Sequence, residues 1–295
     1  MDTTASGQQA ASHPPLRRIG QSEVHPVGLG LVAFTFEHAD DPARALQTIT
    51  TGLEAGIQLV DTALAYTTAT DDNHNERLVA RALQGVSPAD RPLISTKGGH
   101  YRSEDTVRID GRPETLRRHC EASLRALQVE RIDLYHLHWP DPDVPITESV
   151  GALADLQREG KIDLIGLSNV DVHQLAQAQD SAGIAAVQNP YSFFSPGDQE
   201  VLAHCERHGI AFLAHSPLRG MTAARASLAR TLDAVAAHYD ATKAQIALAW
   251  LLAQAPSLVA ISGATRAATV RDSAAAARLT IEPEHLNLLN RLASE

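Results

Sequence analysis

The sequence predicts an α/β protein, a (β/α)8 TIM barrel in a single domain, and three observations lead there. First, eight short apolar runs alternate with longer helical patterns, most at intervals of roughly 25–40 residues, a βα rhythm rather than that of a two-layer β fold. Second, Gly56, Gly160, Gly183 and Gly209 each close a helical pattern and lead straight into an apolar run. A glycine just past a helix end takes the left-handed conformation that lets the chain turn, so these mark αβ junctions. The third observation sets aside an open doubly wound sheet. Gly28-Leu29-Gly30-Leu31-Val32-Ala33 matches the letters of G-x-G-x-x-A, but Phe34, Thr35 and Phe36 continue it as strand or loop. That fingerprint holds a pyrophosphate only where it opens a helix.

In chain order, residues 1–15 read as a flexible tail, polar and without the basic-then-apolar pattern of a secretory signal. Residues 16–24 read as a hairpin or cap, and the barrel domain occupies 16–295 with it. The apolar runs are 27–34, 59–61, 93–97, 132–138, 164–168, 186–188, 211–216 and 258–261. Asp41-Pro42, Arg112-Pro113 and Ser195-Pro196 mark helix starts, because the missing proline N–H costs nothing in a first turn. Two helices, about 224–238 and 242–254, fall between the seventh and eighth runs, one more than the repeat requires. The second opens on a capping box, Thr242 with Gln245, and a last helix follows Pro283.

Composition narrows the function. Hydrophobic residues make up 44% and charged residues 20% of the 295, a globular balance. A net charge of −10 disfavours nucleic acid, which needs a concentrated basic surface. No apolar run approaches the roughly 20 residues that span a bilayer. Cys120 and Cys205 sit in helical patterns among apolar neighbours and read as buried free thiols. A cytoplasmic location is the expectation, and nothing sets an oligomeric state.

Four side chains end successive strands or follow one closely: Asp61, Tyr66, Lys97 and His138. Barrel active sites lie at the C-terminal mouth, where neighbouring strands are about 4.8 Å apart, so three consecutive ends span on the order of 10 Å. These residue types suit one chemistry. A phenol, with an ordinary pKa of about 10, needs help to serve as a proton donor near neutrality, and a nearby ammonium lowers that pKa. A buried ammonium needs a partner, which Asp61 supplies, and a histidine can orient a carbonyl oxygen. Such a group protonates an oxygen as charge develops there, as carbonyl reduction by hydride requires. No side chain donates hydride, so a nicotinamide cofactor is implied. Singly, each residue has an ordinary explanation: a rim ion pair, a packed tyrosine, a core histidine. Their joint order on successive strands favours the chemical one.

The chain resembles the aldo-keto reductase superfamily from about Gly28 to Ser273, through DTALAY with NERLVARAL, STKGG, DLYHLHWPDP, GKIDLIGLSN, VQNPYS, HSPLRG and ISGATR. The resemblance implies NADPH-dependent reduction of an aldehyde or ketone, with Tyr66 as proton donor, Asp61 and Lys97 tuning it, and His138 orienting the carbonyl. It implies that Ser168, Asn169 and Gln188 hold the nicotinamide carboxamide; Asn169 can also cap the helix beginning near Asp171. It implies further that Ser216 and Leu218 follow the pyrophosphate, and that Gly263, Thr265 and Arg266 open a helix onto the adenosine 2′-phosphate, favouring NADPH with NADH as the alternative. Two departures stand out. His215 occupies a position where family members commonly stack an aromatic ring on the nicotinamide, and Thr269 and Ser273 replace later phosphate-binding groups. Phe34, His100, Tyr101 and Trp139, with Phe193, are candidate walls of the substrate pocket. The loops TTATDDNHN after Tyr66 and HYRSEDTVRIDG after the third run are long. Two other functions compete: a metal-dependent hydrolase built on His136-x-His138 and Asp61, and a cofactor-binding regulatory protein with weak turnover.

Overall fold

The computed structural model describes residues 14–36, 38–68, 72–103, 106–197, 199–223 and 226–293. The tail expected at 1–15 falls, up to residue 13, outside these residues, as do positions 69–71 of the loop after Tyr66.

The chain begins with an antiparallel hairpin, β1 (Arg17–Ile19) and β2 (Ser22–Val24), where the sequence places a cap. Its two-residue turn needs Gly20, at φ +59°, a region most side chains avoid. The first half of the barrel opens with β3 (Val27–Gly30), α1 (Ala33–Phe36) and α2 (Pro42–Glu54), then β4 (Leu59–Asp61) with α3 (His74–Ala82). β5 (Leu93–Gly98) leads through a second hairpin, β6 (His100–Ser103) and β7 (Thr106–Ile109), to α4 (Pro113–Leu127). β8 (Ile132–Leu137) is followed by α5 (Ile146–Arg158). The second half runs β9 (Ile162–Ser168), α6 (Val172–Gln179), β10 (Ala186–Pro190), α7 (Gln199–His208) and β11 (Ala211–His215). The additional helix α8 (Ala226–His238) precedes α9 (Lys243–Leu252), β12 (Leu258–Gly263), α10 (Ala267–Ala275) and α11 (Pro283–Ala293). β3, β4, β5 and β8 to β12 close into a parallel barrel, one strand for each of the eight apolar runs.

Strand alternation divides the core in two and aims the polar residues. Leu59, Leu93, Leu134, Ala186, Leu213 and Val259 form the barrel interior, and Ile19 and Val24 of the hairpin pack into the same cluster. The hairpin therefore plugs the end where the strands begin. Val60, Ile94, Tyr135, Val187 and Phe212, one position over on the same strands, pack outward against the helices. Successive side chains in a strand point to opposite faces. Two positions on from an interior residue, Asp61, Ser95, His136, Gln188 and His215 face inward, and Lys97 and His138 come at the next step.

Several local expectations need correction. Residues 34–36 are neither strand nor loop, since α1 forms there, but a four-residue helix gives no phosphate-binding N-terminus. Gly56, Gly160 and Gly209 take positive φ, whereas Gly183 does not. α6 stops at Gln179 and the turn is made by Ser181 and Ala182 bonding back to Ala178, so no left-handed residue is needed at 183. Pro42 and Pro113 occupy first helical turns, while Pro196 lies ahead of α7. The capping box of Thr242 and Gln245 is formed, and Cys120 and Cys205 are buried free thiols. No helix among the described residues is long and apolar enough to cross a membrane.

Candidate active site

The four residues singled out at the strand ends meet at the barrel mouth. Lys97 Nζ donates to Asp61 Oδ2 at 2.7 Å and to the Thr62 carbonyl at 2.8 Å. Asp61 Oδ1 accepts from Ser95 Oγ at 2.7 Å and, across the barrel, from Gln188 Nε2 at 2.8 Å. A buried ion pair persists when its remaining donors and acceptors are satisfied, and these contacts engage two of the three ammonium donors and both carboxylate oxygens. Lys97 Nζ stands 5.5 Å from the centroid of the Tyr66 ring, and the Tyr66 and His138 rings meet edge-to-face with centroids 6.1 Å apart. Tyr66 is anchored by its backbone: its amide bonds to the Ala63 carbonyl, and its carbonyl accepts from Asn75 where α3 begins. The base of the loop after Tyr66 is thereby closed.

Burial sets the charges. It depresses the Lys97 pKa, while the neighbouring Asp61 charge opposes that shift. The Tyr66 phenol is held above its ordinary value by burial and then by the charge of Asp61. The sequence predicts a lowered phenol pKa; burial, the larger cause, and the Asp61 charge raise it instead. His138 is pushed well below the ordinary imidazole range by burial and then by Lys97, so its ring is neutral at physiological pH. His136 is depressed to about 4 by the same causes. Its Nδ1 faces the Leu167 carbonyl at 3.4 Å, and it fits because position 166 is glycine; a Cβ there would overlap the imidazole.

Above these groups lies a cavity of about 560 Å³, lined by Asp61, Tyr66, His138 and Trp139 on one side. Ser168, Asn169, Gln188, His215, Ser216, Leu218 and Gly263 line the other. Ser168 Oγ donates to the Gln188 carbonyl at 2.8 Å, and Asn169 Nδ2 to the His138 carbonyl at 3.0 Å. Asn169 does not cap the helix after it: Asp171 does, in a capping box with Gln174. The His215 ring is fixed between Asn169 Oδ1 at 3.3 Å and Ser216 Oγ at 3.2 Å. Burial, then Lys97, lowers its pKa to about 4, so this imidazole presents a neutral face. Asn169 and Ser216 both have positive φ, +58° and +55°, a conformation that collects at ligand sites.

Other expected residues lie elsewhere. Among the candidate pocket walls Trp139 alone lines the cavity, 40% exposed at its rim. Phe34 sits on α1 and is fully buried in the outer core, and Phe193 packs on Trp250 at 5.1 Å. His100 backs the His138 ring edge-on at 4.7 Å, and Tyr101 turns onto His119 at 5.2 Å. Thr265 and Arg266 do not line the cavity but stand just beyond Gly263, where Arg266 is the exposed N-cap of α10. Ser273 faces inward and bonds Ser262 at 3.0 Å, so it is closed to a phosphate. Sequence reasoning missed Gly30, Leu31, Val32 and Arg219, all lining the cavity. The HSPLRG segment contains Arg219 and was the signal available. Asp61, His136 and His138 do not form a metal-ligand cluster; the three-residue cluster among the described residues lies elsewhere. The hydrolase alternative loses its basis.

Comparisons with known proteins bear on the chain as a whole. The family model described as Aldo/keto reductase family matches residues 26–294. Pyridoxine 4-dehydrogenase of Escherichia coli (strain K12) is 30% identical over 289 residues, covering 94% of this chain and 98% of that protein. An uncharacterized oxidoreductase of Schizosaccharomyces pombe is 31% identical over 287 residues, covering 96% and 91%. Among solved structures, an aldo/keto reductase from Klebsiella pneumoniae in complex with NADP and acetate matches with a TM-score of 0.80 at 30% identity, over 94% of each chain. With a closed parallel barrel, a family match across nearly its whole length and oxidoreductase relatives, the chain belongs to the aldo/keto reductase family.

Proposed function

We propose that the protein reduces an aldehyde or ketone to the alcohol, with NADPH as hydride source and Tyr66 as proton donor. The observation that carries this is the convergence of Tyr66, His138 and Asp61 on one cavity, with Lys97 bonded to Asp61 behind its lining. The residues present fit the cofactor. Ser168, Asn169 and Gln188 offer amide and hydroxyl groups that suit a carboxamide, and the neutral ring of His215 offers an apolar face beside them. Arg219 brings a cation to a cavity in a chain of net charge −10, which suits phosphate. Arg266, exposed at the N-terminus of α10, favours a 2′-phosphate and hence NADPH over NADH. The K. pneumoniae relative is named as an NADP complex, in keeping with that preference.

The bound cofactor supplies hydride, and the chain's own residues do the rest. Tyr66 keeps its proton in the resting site, because burial and Asp61 disfavour the phenolate. It releases that proton only as negative charge grows on the substrate oxygen, which is the stage at which stabilisation accelerates a reaction. Lys97, fixed by Asp61, holds a positive charge beside the tyrosine ring as the phenolate forms. Neutral His138 orients the carbonyl oxygen by a hydrogen bond. Trp139 at the rim meets the remainder of the substrate.

Purified protein titrated with NADPH and NADH by fluorescence, then mixed with a simple aromatic aldehyde, tests this reading. Binding with preference for NADPH is expected, then loss of nicotinamide absorbance as the aldehyde is consumed. Binding without turnover across a broad carbonyl panel contradicts it.

A further inference from the structure

A second group of chemically capable side chains lies where α8 ends and α11 begins. His238, Glu282 and His285 each offer a ligand atom within 4.8 Å of the other two, and none of them lines the mouth cavity. Glu282 Oε2 is 3.7 Å from His238 Nε2 and 3.9 Å from His285 Nδ1, so both imidazoles converge on one carboxylate oxygen. The two rings meet edge-on with centroids 4.7 Å apart. In a tetrahedral site with metal–ligand bonds of about 2.0–2.1 Å, adjacent ligand atoms stand roughly 3.3 Å apart. Closing the two carboxylate–imidazole separations takes about half an ångström, the two ring nitrogens, within 4.8 Å of each other, close by more, and the side chains of His238 and Glu282, 51% and 60% exposed, are free to move.

The framework is already assembled. Glu282 and His285 are three residues apart at the start of α11, a spacing that puts both on one face. The Tyr239 hydroxyl, next to His238 in sequence, accepts the Glu282 amide at 2.8 Å and bonds His285 Nδ1 at 3.0 Å. One phenol thus fixes the backbone of one candidate ligand and holds the Nδ1 of another, the nitrogen nearest the carboxylate, so a metal bound at that nitrogen takes the phenol's place on it. Three exposed polar residues sharing a corner would account for a single imidazole–carboxylate contact. Two imidazoles turned toward the same carboxylate oxygen are more than such a contact needs.

We propose that His238, Glu282 and His285 bind a divalent transition metal of the zinc type, which staples the end of α8 to the start of α11. Two imidazoles and a carboxylate suit zinc and its neighbours rather than calcium or magnesium, which prefer all-oxygen shells. Three protein ligands leave a fourth position for water. The site is structural, adding to the apolar face of α11, where Leu289 enters the core with Leu286, Leu288 and Leu292 packed against it, and to the Trp250 Nε1 bond to Asn290 Oδ1 at 2.8 Å.

Zinc titration of chelator-treated protein, by calorimetry and by Tm, tests the site alongside His238→Gln, Glu282→Gln and His285→Gln. The expected result is zinc binding with a Tm rise of about 4 °C at a hundredfold excess over Kd, lost in each variant. The metal-free Tm of each variant shows whether it folds as the wild type does. Should His285→Gln, the least exposed of the three, lower that value, the other two variants decide. A wild type unresponsive to zinc overturns the proposal. So does a rise that survives His238→Gln and Glu282→Gln, which would place the metal elsewhere, for instance at the stacked His204–His208 pair of α7.

Discussion

At the residue scale, Lys97 is the side chain on which the candidate site depends. It is 1% exposed, and its charge is matched by Asp61, itself held by Ser95 and Gln188. Lys97→Met leaves a buried carboxylate without its cation and is expected to cost about 3 kcal/mol, the lower end of the range for a broken buried pair, because two neutral donors remain. Urea denaturation measures this, and Asp61→Asn combined with Lys97→Met should recover more than half of the loss. Alternation along β4, β5 and β8 made Asp61, Lys97 and His138 legible as neighbours in the sequence. The Gln188–Asp61 bond was not legible, since it crosses the barrel between residues 127 positions apart. Nor was the direction of the Tyr66 shift, which burial decides ahead of the neighbouring charges.

At the scale of elements, the close packing of β8 on β9 places the inward histidines. His136 and Gly166 are register partners, and the imidazole occupies the space a side chain at 166 would need. Gly166→Ala is expected to destabilise the barrel by roughly 1–3 kcal/mol through overpacking and to lower turnover by tilting the strand that carries His138. A urea midpoint and an aldehyde-reduction assay on the same preparation check both effects. Strand identities were readable because the barrel needs apolar runs at a regular interval. The connections leaving the strands were less readable. Phe34 looked like a wall residue when taken as the end of a strand, but one helical turn rotates it into the core. The long loop after β5 proved to be the hairpin of β6 and β7; β7 alternates polar and apolar residues, but over only four positions and with all four exposed, too short a signal to mark a strand.

At the scale of the whole molecule, a parallel barrel concentrates titratable groups inside a low-dielectric wall, and acid is its weakness. His136 and His215 have pKa values depressed to about 4 against an ordinary 6.5. Below 6.5 the unfolded chain takes up protons that the folded chain refuses, so stability is complete above that pH and falls as pH drops toward 4. The fully buried His136 alone is worth about 3 kcal/mol over that interval. The urea midpoint should therefore fall steadily between pH 7 and 4.5, and a flat profile would show that these rings are not held neutral. The same enclosure keeps the Tyr66 proton in place until a substrate oxygen draws it off. The most direct measurement compares kcat for aldehyde reduction by wild type and Tyr66→Phe at saturating NADPH, with the cofactor Kd of each. A fall of at least about 100-fold in kcat, within the range general-acid catalysis supplies, with an unchanged Kd is the expected result. A Tyr66→Phe protein that turns over at the wild-type rate would contradict the assignment of Tyr66 as the proton donor.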